Sequence, residues 1–253
     1  MKNIEIKNAI LGAGLLLAWI TVPLIAAQQP LLSDDKGDAA FLEDLSRVKA
    51  VAEKNIASGT PRPQARDAYV ARQVEKYHRF NKFAKETLAP HSRAIAEGRK
   101  DPDSLLATGK ARLARDGKSW EGHDCVGTAK LFKRDPQGAE ESFGRALEAA
   151  PAEMRGWYQY MLGLTAQTGS EPDKALAWLD KAIEDDNNWL AVKSAHLNKA
   201  AIYVSRSSFK KAAASLETYF SMARGTEAKL IAAGPICKMT ISAGLKVGGC
   251  TAN

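Results

Sequence analysis

Four histidines, His78, His91, His123 and His196, and three cysteines, Cys125, Cys237 and Cys250, are the side chains best suited to proton transfer, nucleophilic attack or metal ligation. Their spacing matches none of the usual devices. There is no His-Glu-x-x-His, no Cys-x-x-Cys and no cysteine pair at zinc-ligand spacing. His123-Asp124-Cys125 brings a base, an acid and a thiol together in sequence. On a helix, however, residues i and i+2 point apart, so His123 would not serve Cys125. Gly117-Lys118-Ser119 is too short for a phosphate loop, and Glu140-Glu141 and Asp185-Asp186 read as solvated surface charge. The expectation is a non-catalytic chain with no metal and no cofactor. The alternative is an enzyme whose site converges from distant segments, between the N-terminal helices and the second half of the chain.

The start of the chain reads as an address. Lys2 and Lys7 precede an uncharged apolar run from Ala9 to Ala27, with Pro23 and the small residues Ala26 and Ala27 near its end. This is the layout of a secretory signal peptide, residues 1–27, removed on export to a bacterial periplasm or the extracellular space. An uncleaved anchor through residues 9–27, holding the chain at the inner membrane facing the periplasm, is the competing reading. Pro23 and the small residues favour cleavage. No second apolar run is long enough to span a bilayer, which excludes a polytopic membrane protein. In an oxidising compartment Cys237 and Cys250, thirteen residues apart, are natural disulfide partners. Cys125 is then left over and reads as a small buried hydrophobe, the alternative being an intermolecular disulfide or a reactive thiol.

Beyond a tether at 28–37, apolar residues recur at threes and fours, as one face of a helix requires. A first helix is expected from Asp38 to Ala57, ended by Gly59-Thr60-Pro61-Arg62-Pro63. A second runs from about Gln64 to Thr87, with Val74, Tyr77, Phe80 and Phe83 on its buried side, and is stopped by Pro90. Shorter helices cover 91–98 and 103–115, completing an N-terminal helical section over 38–115. No alternating β-branched stretch predicts a strand, so the chain reads as all-α.

The second half carries an internal repeat. Gly127, Gly163 and Ala200 each stand twelve residues before an alanine, Ala139, Ala175 and Ala212. Four residues after each alanine comes a large apolar residue, Phe143, Leu179 or Leu216, and three further on come Ala146, Ala182 and Tyr219. Asp135-Pro136 and Glu171-Pro172 mark helix starts, with Ser208-Phe209 in the third copy. Small residues let two antiparallel helices approach, and the large residue is expected to fill the groove toward the next unit. Asp101-Pro102 sits 34 residues before Pro136 and marks a candidate fourth, degenerate unit, although Leu105 and Gly109 break its size pattern. Two-helix units bury their apolar faces by stacking, so a short helical-hairpin solenoid is predicted.

This pattern resembles the tetratricopeptide repeat (TPR) over residues 120–153, 156–189 and 193–226. Trp120, Gly127, Ala139, Phe143, Ala146 and Pro151 stand near the family's landmarks, as do Trp157, Leu162, Gly163, Ala175, Leu179 and Ala182. The third copy keeps Ala200, Tyr203, Ala212 and Leu216. The closing proline is missing from the second and third copies, and the spacing exceeds 34. The resemblance implies a right-handed superhelix whose first helices line a concave face that binds a peptide or a protein. Residues implied for such a surface are His123, Asp124, Arg155, Tyr158, Gln159, His196 and Asn198, with Tyr158 as an anchor. Residues 227–253 would form a C-terminal cap closed by Cys237–Cys250.

The chain has 36 basic and 29 acidic side chains, formally +7, but the charge is segregated. Residues 28–61 carry net −2, residues 62–134 net +8, residues 135–189 net −7 and residues 190–253 net +7. Such blocks suit a charged protein partner or head-to-tail self-association. A basic cluster at Arg93, Arg99, Lys100, Lys110, Arg112, Arg115 and Lys118 suits an anionic envelope surface. Nucleic acid is not expected, because export separates the chain from it and the aromatics recur at core spacing. The sequence thus reads as an exported all-α scaffold or accessory protein that binds an unidentified protein or peptide, or as a structural envelope protein held by its leader.

Overall fold

The computed structural model describes residues 43, 44, 46, 47, 49, 50, 64–98 and 100–251. The leader, the tether and most of the helix expected over 38–57 lie outside the described residues; those between 43 and 50 are helical. The described elements are α1 (Gln64–Phe83), a π-helical turn (Ala84–Leu88), α2 (Ala89–Gly98), α3 (Pro102–Arg115), α4 (Trp120–Phe132), α5 (Pro136–Ala149), α6 (Ala152–Thr168), α7 (Pro172–Asp185), α8 (Trp189–Ser205), α9 (Phe209–Met222), α10 (Gly225–Ala232) and α11 (Pro235–Ser242). All of them are helical, and from α3 to α9 each packs chiefly on its neighbours in sequence, giving stacked hairpins behind an N-terminal helical section.

Helix starts follow local chemistry. The side chains of Asp101, Ser119, Asp135 and Asn188 accept the backbone N–H three residues on, at 2.9–3.1 Å. Pro102, Pro136, Pro172 and Pro235 occupy first helical positions, where a missing N–H costs nothing. Pro90 behaves differently from the sequence expectation. The chain stays helical through it, because the turn just before widens to π geometry over Ala84–Leu88. Prolines inside helices go with local widening of this kind, which keeps the backbone helical where a regular turn would end.

The three hairpins α4–α5, α6–α7 and α8–α9 share one turn. Arg134, Ser170 and Ser207, at intervals of 36 and 37 residues, adopt φ of 59°, 62° and 54°. The next residue in each turn donates its N–H to a carbonyl five residues back: Asp135 to Lys130 at 2.9 Å, Glu171 to Ala166 at 2.8 Å and Ser208 to Tyr203 at 2.8 Å. This left-handed helix stop normally favours glycine, so the turn is held by its hydrogen bonds and by packing rather than by residue preference.

Packing of the pairs rests on size. Ala139, Phe143, Ala146, Ala175, Leu179, Ala182, Ala212, Leu216 and Tyr219 have no exposed surface. A β-carbon on Gly127 would lie 2.8 Å from the Phe143 ring, and one on Gly163 would lie 2.9 Å from Leu179. The large residue therefore seats on the small residue of its own hairpin, rather than only filling the groove to the next unit. The preceding pair α2–α3 inverts the arrangement. Leu105, at the alanine position, covers Gly98, and Gly109, at the large-residue position, brings α3 within reach of the Gly122 carbonyl. Leu105 and Gly109 thus satisfy the joint by exchanging sizes.

First helices are inner and second helices outer. Thirteen of the seventeen residues of α8 are buried, against six of the fourteen of α9, as expected for a helix covered on all sides. At the C-terminus, Ile236, Cys237 and Val247 close the apolar core of the third hairpin. Cys237 and Cys250 are disulfide-bonded, with Cα atoms 5.4 Å apart. Closing a loop of this size contributes about 3 kcal/mol. Among the described residues, no helix is long and apolar enough to cross a membrane.

Phe143→Ala empties the Gly127 seat and is expected to cost about 3–5 kcal/mol in urea denaturation. Gly144→Ala, one residue on with open space around it, is expected to raise stability by about 0.5–1 kcal/mol.

Candidate functional site

The faces of the first helices are where the sequence placed its binding residues, and most of those faces are already occupied. Asp124, on α4, is buried. Its Oδ2 lies 2.7 Å from His91 Nε2 of α2, and its Oδ1 accepts the Thr128 hydroxyl at 3.2 Å. Arg112 of α3 places Nη1 2.9 Å from His91 Nδ1. A guanidinium only donates, so Nδ1 must accept, and the ring proton sits on Nε2 and points at Asp124. Trp120 meets the His91 ring edge-on, with centroids 5.3 Å apart. Both imidazole nitrogens are engaged, so neither is free to take a proton from a substrate. The cluster ties α2, α3 and α4 together.

Tyr158 belongs to the same neighbourhood. It is fully buried on α6, 6.3 Å from the Trp120 ring centroid. Its hydroxyl faces the Asp124 carboxylate without a hydrogen bond of ordinary geometry. Burial first, and the Asp124 charge second, push that hydroxyl well above the usual tyrosine range. Asn198, also buried, donates to the Tyr160 hydroxyl at 3.1 Å and to the Ser194 carbonyl at 3.0 Å. His123 is buried and donates from Nε2 to the Gly117 carbonyl at 3.3 Å, and burial lowers its pKa. Cys125 packs with Ile95, Leu105 and Ala129, and burial pushes its thiol up to about 12. That thiol is an inert core group. Arg155 is exposed, while Gln159 and His196 are half-buried. Of the seven residues singled out, these three keep solvent access. The structure brings Asp124 and Tyr158 together and leaves the others apart.

What covers the first helices is the N-terminal section. Trp189 Nε1, at the start of α8, donates to Asn81 at 3.1 Å, and the Tyr77 ring lies 6.3 Å from that indole. Asp186 accepts Gln73 Nε2 at 2.6 Å and pairs with Lys76. Arg79 reaches Asn187 at 3.3 Å and Glu153, in the first turn of α6, at 3.4 Å. His91 then meets Asp124 of α4. The segment from Gln73 to His91 therefore touches α8, α6 and α4 in the reverse of chain order, like a strap over their N-terminal turns. Phe80 is fully buried there.

Sequence reasoning missed His91, Arg112 and the strap contacts. His91 and Asp124 are 33 residues apart and Arg112 is 21 from His91, with no periodic signal joining them. The acidic block and the basic segment before it carried a hint of the strap.

At the far end Lys193, 1% exposed, donates to Glu227 at 2.7 Å, and the Tyr219 hydroxyl donates to the other oxygen of Glu227 at 3.0 Å. This pins α10 across α8 and α9. Among the described residues, no group of three or more His, Cys, Asp or Glu side chains is placed to hold a metal ion. No protein-family model, no curated protein and no solved structure matches the chain.

Asp124→Ala leaves the His91 Nε2–H and the Thr128 hydroxyl without their acceptor and is expected to cost about 1–3 kcal/mol in denaturant unfolding. A double-mutant cycle with His91→Ala should return a coupling of about 1–3 kcal/mol. Burial, reinforced by the Lys199 charge, lowers His196 from 6.5 to about 4. The unfolded chain then binds the extra proton between those values, so stability falls as pH drops from 6.5 toward 4. His196→Gln should flatten that part of the profile, measured as urea midpoints at pH 7, 5.5 and 4.5.

Proposed function

We propose that the chain is an exported, non-catalytic scaffold or accessory protein of the tetratricopeptide-repeat type, which binds a protein or peptide partner. The observation that carries this reading is the triple recurrence of one hairpin. The left-handed turn at Arg134, Ser170 and Ser207 and the burial of Phe143, Leu179 and Leu216 repeat in step with the sequence. Stacked hairpins of that kind make extended surfaces rather than enclosed reaction chambers. The Cys237–Cys250 bond and the signal-like residues 1–27 favour an oxidising compartment, the periplasm or the outside of the cell.

Partner contact falls on Arg155, Gln159 and His196, the accessible members of the first-helix set. The exposed cations Arg93, Lys100, Lys110, Arg115 and Lys118 add a basic flank suited to an anionic envelope surface. Head-to-tail self-association through the acidic and basic blocks belongs to the same reading.

The test places a photo-crosslinking phenylalanine analogue at 155, 159 or 196, with 148 on the outer helix α5 as control. In an envelope extract, adducts to one polypeptide are expected from at least two inner positions and none from 148. Absence of an adduct at every inner position, at low and moderate salt, overturns the proposal.

A further inference from the structure

The junction of α2, α3 and α4 closes on one buried imidazole with two unlike neighbours. The side chains of His91 and Asp124 keep 7% and 3% of their surface. His91 donates from Nε2 to Asp124 Oδ2 at 2.7 Å, and its Nδ1 accepts Arg112 Nη1 at 2.9 Å. A carboxylate beside the ring favours a second proton there, and a guanidinium opposes it. The Arg112 contact exists only while the ring is neutral, because an imidazolium has two donors and no acceptor.

The surroundings decide which group gives way when that proton arrives. Asp124, on α4, is tied down: its Oδ1 takes the Thr128 hydroxyl at 3.2 Å, and the Tyr158 hydroxyl of α6 faces the same carboxylate. The Trp120 ring meets the imidazole edge-on. Glu121 accepts the Ser119 hydroxyl at 3.0 Å, and the Cys125 thiol, pushed up to about 12, stays neutral. On α3, Lys110 and Arg115 are exposed, as are Arg93 and Glu97 on α2 and Lys85 and Glu86 on the π-turn. Arg112 is half-buried, so its charged head has a route to water that the aspartate lacks.

We infer that this junction is an acid-operated latch, in which a proton added to His91 Nδ1 expels the Arg112 guanidinium and undoes the polar tie between α2 and α3. The proton comes from water, and no covalent bond other than the new N–H changes. The Nε2–H bond to Asp124 persists and becomes charge-assisted, so α2 is drawn more firmly onto α4. The apolar seat of Leu105 on Gly98 still joins α3 to α2. Acid thus loosens one joint of the stack without taking it apart, and neutral solution closes it again. The inference stands on the geometry of the ring and does not depend on what the scaffold binds.

The test follows the full chain, disulfide intact, by side-chain nitrogen NMR from about pH 7.5 to about pH 5.5, where an imidazole changes charge. His91 Nδ1 is expected to pass from acceptor to protonated while Nε2–H stays bonded. Over the same interval the α3 amides, corrected for the chemical exchange rate, should lose about ten-fold in hydrogen-exchange protection, with α4 unchanged. His91→Gln keeps a donor for Asp124 and an acceptor for Arg112 but takes no proton, so α3 should be equally protected throughout. Arg112→Met leaves no guanidinium to expel and should also remove the response. His78 is exposed on α1, and a response arising there would survive both substitutions. Survival of the response in either variant overturns the inference. In the wild-type chain, which needs no variant to fold, so does a ring that stays neutral through the range, or unchanged α3 protection once the ring is charged.

Discussion

The seating of a bulky side chain on a bare stretch of neighbouring helix decides how this chain packs. At Gly127 and Gly163 the absent β-carbon makes room for the ring of Phe143 and the branched end of Leu179. The helices of each pair thereby come close enough to expel water along their whole contact. Because the seat and its occupant lie sixteen residues apart in both hairpins, every pair meets at the same height, and each new pair meets the last in the same way. The α2–α3 joint follows the same physics with the sizes reversed, Leu105 on Gly98, which is why it joins the stack despite breaking the pattern of letters. Dense interiors tolerate such an exchange when volume is conserved across the contact.

The charge blocks take on a different meaning once the helices are placed. Lys133 after α4 pairs with Asp103 of α3 at 2.6 Å, Lys174 of α7 with Glu140 of α5 at 2.7 Å, and Arg206 after α8 with Asp173 of α7 at 2.6 Å. Lys199 also pairs with Asp180. The acidic middle of the chain is thus answered from both sides by its own basic neighbours, Lys76 and Arg79 among them. Each exposed pair is worth about 0–1 kcal/mol. Their value is in setting which unit follows which, since a shifted register would place like charges together.

The repeat was legible because burial leaves a compositional trace. A position with no room beyond a methyl group is alanine or glycine, and its spacing can be read directly. Other features left no such trace. Arg134, Ser170 and Ser207 occupy a left-handed turn that glycine would have announced, so the residue types concealed it. Pro90 reads as a stop in any local analysis, and only the wider π-turn before it lets the helix run on. The amphipathic pattern around Val74 and Phe80 showed that α1 has a buried side without showing what buries it. Placement of Asp124, Tyr158 and Asn198 on a groove followed from resemblance to tetratricopeptide repeats. Their burial depends on the strap and on neighbouring helices, a long-range fact that spacing does not encode.

The closed loop at the C-terminus gives the stack a direction. Covalent closure between Cys237 and Cys250, together with the buried contact of Lys193 with Glu227, fastens the last hairpin to its cap. Among the described residues the N-terminal section is held to the stack by noncovalent side-chain contacts. In a linear array where each unit leans on the next, such asymmetry makes opening sequential. Under tension or partial denaturation the chain peels from its N-terminal side, hairpin by hairpin, and the disulfide-closed end is the last to let go and the natural seed from which the array re-forms.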